Sequence, residues 1–212
     1  MRVAGDVDSG TVVVLNGTPR SGKSTLARAM QRSSDGIWIN LGVDAFAGVI
    51  PEGLRPGIGL RPGGEQPDLE HAVVALFDAL YASVVASSRS GLNVVVDVGH
   101  HDDYSKPLGI LARVAGELRA LPAYFVGVRC PVEVIMARRD AGAGGGRYVT
   151  SAPDGTVPDI VGRWERAVHN PGLYDLEVDT WSASPEACAA AVARRLDEGP
   201  PVAFAELAQR RV

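Results

Sequence analysis

The sequence predicts an α/β fold, a five-stranded parallel sheet flanked by helices on both faces, and three observations carry that expectation. Five short apolar runs alternate with helical patterns along most of the 212 residues. Strands separated by helices imply right-handed crossovers and a sheet covered on both sides. The first run leads into Gly17-Thr18-Pro19-Arg20-Ser21-Gly22-Lys23-Ser24, which has the G-x-x-x-x-G-K-[ST] spacing of a phosphate-binding P-loop. An amphipathic helical pattern leaves the loop at once, the strand–loop–helix context that the motif requires. Together they predict one nucleotide-binding P-loop domain over residues 1–212, with a small mobile lid over 138–151.

In chain order, the strands are expected at Thr11–Leu15, Ile37–Leu41, Leu92–Val98, Ala123–Val128 and Tyr174–Val178. Helical periodicity marks Ser24–Arg32, Leu69–Ser88, Leu108–Ala120, Pro131–Arg139, Asp159–Ala167 and Ser184–Leu196. Two stretches break the pattern. Residues 48–67 hold the tandem Gly53-Leu54-Arg55-Pro56-Gly57 and Gly59-Leu60-Arg61-Pro62-Gly63, too rich in proline for a helix and too long for a connector. They read as a functional or mobile loop on the acceptor side. The second stretch, Ala141–Ser151, contains Gly142-Ala143-Gly144-Gly145-Gly146-Arg147 and supplies the lid's hinge freedom. Residues 197–212 read as a C-terminal extension.

Composition narrows the classes. Lys plus Arg total 21 against 25 Asp plus Glu, a net charge of −4, which argues against a nucleic-acid-binding surface. Met1–Gly10 lacks the apolar core of a signal peptide, and no apolar run approaches the ~20 residues of a membrane span. Cys130 and Cys188 are too few for a disulfide framework and read as buried thiols in a reducing cytoplasm. The sequence leaves open a monomer or a homo-oligomer.

The P-loop residues carry specific chemistry. Its glycines let successive N–H groups face phosphate oxygens, and the helix N-terminus adds positive potential. Gly17, Thr18, Pro19, Arg20, Ser21, Gly22, Lys23, Ser24 and Thr25 are therefore the expected nucleotide-binding residues, for ATP or GTP with Mg²⁺. Lys23 supplies a compact charge for the β- and γ-phosphates, and Ser24 a hydroxyl ligand for the metal. Only Lys23 and Lys106 are lysines, so a chain that writes positive charge as arginine keeps lysine here.

In parallel sheets, ligands bind at the carboxyl ends of the strands, so the residues that follow each strand matter most. Asp44, after the second strand, is either a base for a substrate hydroxyl or a helix cap. Asp97, after Val94-Val95-Val96, has the Walker-B pattern of a carboxylate that serves Mg²⁺. His100-His101-Asp102-Asp103 resembles a metal set, but adjacent residues do not converge on one ion without a special loop; it reads as the rim of the acceptor pocket or a solvated turn. Arg138 and Arg147 fit a lid that neutralises the transferring phosphoryl, while Arg139 fits equally a helix end that complements the macrodipole.

With these residues in hand, the chain resembles the chloramphenicol phosphotransferase family, small P-loop kinases of antibiotic hydroxyls. The likeness lies in Leu15-Asn16-Gly17, Gly42-Val43-Asp44 and Val126-Gly127-Val128-Arg129-Cys130. It is strongest in His169-Asn170-Pro171-Gly172-Leu173-Tyr174-Asp175-Leu176-Glu177-Val178-Asp179-Thr180, and it runs from Thr11 to Leu196. The resemblance implies that Asp44 is the general base, Asp97 assists the metal, and Arg138 and Arg147 belong to the lid. It also implies that the loop after Thr180 flanks the nucleotide base. The chain departs from the family in its glycine- and alanine-only run 141–146, in the tandem repeat and in the His-His-Asp-Asp rim.

The expected activity is Mg²⁺-dependent transfer of the γ-phosphoryl of ATP or GTP to a hydroxyl of a small antibiotic, chloramphenicol-like or a nucleoside antibiotic, conferring resistance. Two alternatives remain at this level. One is a housekeeping kinase of the shikimate, gluconate or sugar-nucleotide zeta-toxin type, and the other a nucleotide-binding regulatory module that transfers nothing.

Overall fold

The computed structural model describes residues 8–55, 57–142 and 148–210. Five strands, β1 (Val12–Asn16), β2 (Trp38–Asn40), β3 (Asn93–Val98), β4 (Ala123–Arg129) and β5 (Leu176–Asp179), form one sheet in the order β2-β3-β1-β4-β5. Every pairing is parallel. Eight helices accompany them among the described residues: α1 (Lys23–Ser33), α2 (Val43–Ala47), α3 (Pro67–Arg89), α4 (Ile110–Leu118), α5 (Val132–Asp140), α6 (Asp159–Val168), α7 (Pro185–Asp197) and α8 (Ala203–Gln209). Every strand and helix expected from the sequence is present, with ends within two residues of the expected ones. The sequence reading placed nothing at α2 or α8.

The central strand shows why its residues must be apolar on both faces. Val12, Val14 and their neighbours Val94, Val96 and Phe125 face Phe77, Leu80, Tyr81 and Val84 of α3 and the inner side of α4. Val13, Leu15, Val95, Val126 and Val128 face Leu26 and Met30 of α1 and Cys188 and Val192 of α7. Side chains alternate between faces with period two, so a doubly covered strand reads as an unbroken apolar run. By length and composition α3 could cross a membrane, which the sequence reading did not foresee. Here its Val73–Phe77–Leu80–Tyr81–Val84 stripe is buried against the sheet, as in the core helix of a globular domain.

α8 completes the same face. Ala203, Phe204 and Leu207 are buried in the core, and the Phe204 ring lies 5.0 Å from that of Phe125. Asp175, just before β5, accepts hydrogen bonds from the N–H groups of Val202 (2.7 Å) and Ala203 (3.1 Å), which sets the start of that helix. Residues 48–55 and 57–67 hold some regular structure. Two short 3₁₀ turns, Glu52–Leu54 and Gly57–Gly59, occur there, and Ile50, Ile58 and Leu60 are buried.

The chain crosses from one side of β1 to the other between β3 and β4, so the crevice opens at the carboxyl end of β1. Asn16 ties that end together. Its amide donates to the Val168 carbonyl (2.7 Å) and the Tyr174 hydroxyl (3.1 Å), and its carbonyl accepts from the His100 N–H (2.7 Å). Tyr174 also meets His169 Nδ1 at 2.8 Å. The His169–Thr180 segment thus anchors to the strand that feeds the P-loop. Because Asn16 is fully buried, Asn16→Leu removes three hydrogen bonds, leaves the His100 N–H without its acceptor, and should cost about 2 kcal/mol. A urea midpoint indistinguishable from wild type would refute that role.

Candidate active site

The P-loop leaves β1 at Gly17, whose N–H donates to the Val98 carbonyl of β3 (3.2 Å). A Cβ at Gly17 would come within 2.5 Å of the Val128 carbonyl oxygen, so the close approach to β4 needs glycine. Gly22 has φ of +103°, and Arg20 has φ of +76°, the one non-glycine residue at positive φ among those described. Three consecutive carbonyls of the loop are held from outside. Pro19 O accepts from Arg139 (3.3 Å), Arg20 O from Arg138 (3.2 Å) and Ser21 O from the Thr180 hydroxyl (2.5 Å). Because the peptide unit is planar and trans, those anchored carbonyls turn the N–H groups of Arg20 and Gly22 the opposite way.

Lys23 folds back over its own loop and donates to the carbonyls of Gly17 (2.7 Å) and Thr18 (3.0 Å). Burial pushes its pKa down to about 8, against the pull of Asp97, Asp44 and Glu165. The Ser24 hydroxyl donates to Asp97 Oδ2 at 2.5 Å. Burial raises the Asp97 pKa, and Ser24 and Lys23 oppose it only in part. Asp97 has no ion-pair partner among the described residues. A buried carboxylate with a hydroxyl beside it is a hard oxygen pair that fits a divalent cation such as Mg²⁺.

Asp44 arrives through a second close approach. A Cβ at Gly42 would overlap Asp97 Oδ1, at 1.4 Å, so only glycine lets the end of β2 pass so near β3. The Gly42 N–H donates to Asn40 Oδ1 (2.8 Å), and the next turn, α2, carries Asp44. Two cavities meet here. One, of about 620 Å³, runs from the P-loop past Asp44 and Asp97 to Arg55, Arg61 and Trp164. The other, of about 650 Å³, runs along the start of α1 toward Arg138, Thr180 and Pro185. Arg20, Lys23, Ser24, Asp44 and Tyr148 line both, and mark the passage between them.

The remaining expected residues fall as follows. Arg138 donates to the carbonyls of Arg20 and Thr180, so its guanidinium braces the loop. Arg139 is buried, donates to Pro19 O and Val149 O (3.5 Å), and lies 5.8 Å from the Tyr148 ring centre. It serves the loop more than a helix end. Arg147 lies outside the described residues. His100 and His101 are buried, not a solvated turn. His100 meets the Tyr81 hydroxyl (2.6 Å), and burial pushes its pKa down to about 3. His101 meets the Leu60 carbonyl (2.9 Å). Asp102 accepts from the Leu108 and Gly109 N–H groups, and Asp103 pairs with Arg163 through both oxygens (2.5 and 2.7 Å). No group of three or more metal-ligating side chains occurs among the described residues.

Two participants were invisible in the sequence. Glu165 of α6 accepts from the Thr18 hydroxyl and faces His169 Nε2 at 3.3 Å. Burial would raise its pKa, but the hydrogen bonds from His169 and Thr18 outweigh it and the net shift is downward. Tyr148 stands between Arg20 (5.1 Å) and Arg139 over the passage. A lone glutamate in an amphipathic helix and a tyrosine after a glycine run offer no spacing signal.

This assembly is that of a nucleotide-dependent phosphotransferase on a P-loop kinase fold. The chain matches the chloramphenicol phosphotransferase-like family over residues 10–197 and belongs to that family. Solved structures share the fold. A tunicamycin resistance protein from Deinococcus radiodurans is 16% identical, with a TM-score of 0.59 over 91% of this chain and 98% of that one. Shikimate kinase from Bacteroides thetaiotaomicron is 14% identical, with a TM-score of 0.61 over 88% and 98%. The APS kinase of Mycobacterium tuberculosis is 17% identical, with a TM-score of 0.55 over 89% and 98%. No curated protein matches the chain in sequence.

The Lys23 environment predicts a linked proton. Its folded pKa near 8 lies below the unfolded 10.5, so the unfolded chain binds more protons between those values and stability rises with pH across that window. Nucleotide phosphates favour the charged amine. At pH 9, binding should therefore take up about one proton, seen by titration calorimetry in buffers of different ionisation enthalpy. Zero uptake would refute a depressed Lys23.

Proposed function

We propose that the protein is a Mg²⁺-dependent O-phosphotransferase that moves the γ-phosphoryl of ATP or GTP to a hydroxyl of a small molecule. On the family's precedent the acceptor is an antibiotic, and the reaction inactivates it in the cytoplasm. The observation that carries the reading is the position of Asp44, which borders both cavities beside Lys23 and Ser24. The nucleotide occupies the side that runs toward Thr180 and Pro185, and the acceptor the side that runs toward Trp164. A cavity of about 620 Å³ lies within the range of small-molecule sites.

Asp44 takes the proton as the acceptor oxygen attacks the γ-phosphorus and the bond to the bridging oxygen of the β-phosphate breaks. Lys23 balances the charge left on the β-phosphate. Arg20, at the passage, faces the transferring group, and Tyr148 excludes water above it. Arg138 and Arg139 hold the loop's carbonyls, and Arg147 is assigned to the lid. Ser24 and Asp97 would hold Mg²⁺, which supplies charge neutralisation to the phosphates.

Asp44→Asn should lower transfer by roughly 10³-fold while nucleotide affinity changes less than about twofold. The check is mass spectrometry of acceptor mixtures with ATP or GTP, alongside nucleotide titration. Undiminished turnover in the variant would remove Asp44 as base. Nucleotide binding with no transfer to any hydroxyl would instead favour a regulatory module.

A further inference from the structure

The tandem repeat of residues 53–63 has no part in the mechanism above, yet it contributes two charges to one wall of the acceptor cavity. Arg55 and Arg61 occupy the same place in the two Gly-Leu-Arg-Pro-Gly units, and both line the cavity that runs toward Trp164. Neither lines the nucleotide side, which has its own cations in Arg20, Lys23, Arg28 and Arg138. The acceptor cavity as a whole counts Arg20, Lys23, Arg55 and Arg61 against Asp44 and Asp97. Arg20 and Lys23 serve the phosphates, and Asp97 has the Ser24 hydroxyl. On the acceptor side proper, two arginines and one carboxylate line the cavity, with Glu65 paired to Arg61 at 3.8 Å outside it, in a chain whose net charge is −4.

The described residues around Arg61 are tied to the core. Ile58 and Leu60 are buried in the core, His101 holds the Leu60 carbonyl, and the Gly63 N–H donates to the Asp103 carbonyl at 2.7 Å. Asp103 is itself held by Arg163 through two bonds. Ile58 and Leu60 turn into the core, and Arg55 and Arg61 border the cavity. Arg61 lies 3.8 Å from Glu65, beyond hydrogen-bond length, and Arg55 has no ion-pair partner among the described residues. A guanidinium matches carboxylate and phosphate geometry, and the anchored backbone at Leu60 and Gly63 spares Arg61 part of the cost of ordering.

We propose that Arg55 and Arg61 form an anion-recognition subsite, so that the acceptor carries a carboxylate or phosphate besides the hydroxyl that receives the phosphoryl group. This rests on the phosphotransferase reading and narrows it: a neutral amphenicol lacks the group that the repeat is shaped to hold. The anionic end binds at the two arginines, and the hydroxyl end points to Asp44.

Two arms test it and separate its failure from that of the kinase reading. In the first, protein saturated with Mg²⁺ and AMPPNP is titrated with methyl phosphate by calorimetry. Wild type should bind it, and Arg55→Gln/Arg61→Gln should bind it at least about 10-fold more weakly at equal AMPPNP affinity, with Arg61→Lys intermediate. No binding by wild type, or equal binding by the double variant, overturns the subsite. In the second arm, ATP-dependent transfer is measured on pairs that differ only in the acid: gluconate and glucose, shikimate and its methyl ester, glycerol 3-phosphate and glycerol. The acid of a pair should be favoured at least about 10-fold in kcat/KM, and the double variant should lose that margin through KM with kcat nearly unchanged. Preference for the neutral members overturns the subsite. Loss of methyl phosphate binding in the double variant with no transfer to any compound would sustain the subsite and count against the kinase reading.

Discussion

The site depends on one close approach, the Asp97 carboxylate against the bare backbone of Gly42. A methyl group at position 42 would occupy the space of Asp97 Oδ1, so the end of β2 and the end of β3 share a gap that only glycine leaves open. Ser24 meets the same carboxylate from the other side, which fixes α1 and its P-loop to β3. Asp44 follows two residues after Gly42. Asp44, the Ser24–Asp97 pair and the P-loop are thus brought together around one carboxylate, that of Asp97. Asn16, one strand further along the sheet, ties the same region to Tyr174 and His100.

What was legible in the sequence was local or periodic. The P-loop is contiguous, and its backbone demands appear as Gly17, Gly22 and Lys23 in fixed order. The doubly covered strands appear as apolar runs. What escaped depended on contacts between distant segments. Glu165 reaches Thr18 across 147 positions, and nothing around either residue marks the other. α2 has five residues, too few to show a period, and α8 has seven. The repeat of residues 53–63 read as loose because glycine and proline dominate it. Ile58 and Leu60 seat the described part of that segment in the core. His100 and His101 read as the rim of the acceptor pocket or a solvated turn because they follow a strand end, yet Tyr81 and Leu60 draw both inward.

Arginine does two kinds of work in this fold. Arg138 and Arg139 use their planar donors to hold carbonyls, where flexible lysines would hold less well. Arg20 sits at the passage between the cavities. Lys23 stands apart as the one cation of the loop whose burial makes its charge conditional, and it is a lysine where the rest are arginines. The buried histidines take no such part. Burial keeps His100 neutral, and its ring fills space among Phe77 and Tyr81.

The braces on Pro19, Arg20 and Ser21 also bear on the timing of events at the loop. A phosphate-binding segment that must fold around its ligand arrives at each encounter as a collection of shapes, and most collisions are wasted. Here side chains from α5 and from the turn after β5 hold the carbonyls in place beforehand. An incoming nucleotide meets a backbone already shaped, with Lys23 left to swing away from the loop's carbonyls. Its rate of capture is then set by diffusion and by the attraction of the clustered cations, and its residence by how quickly those contacts are surrendered.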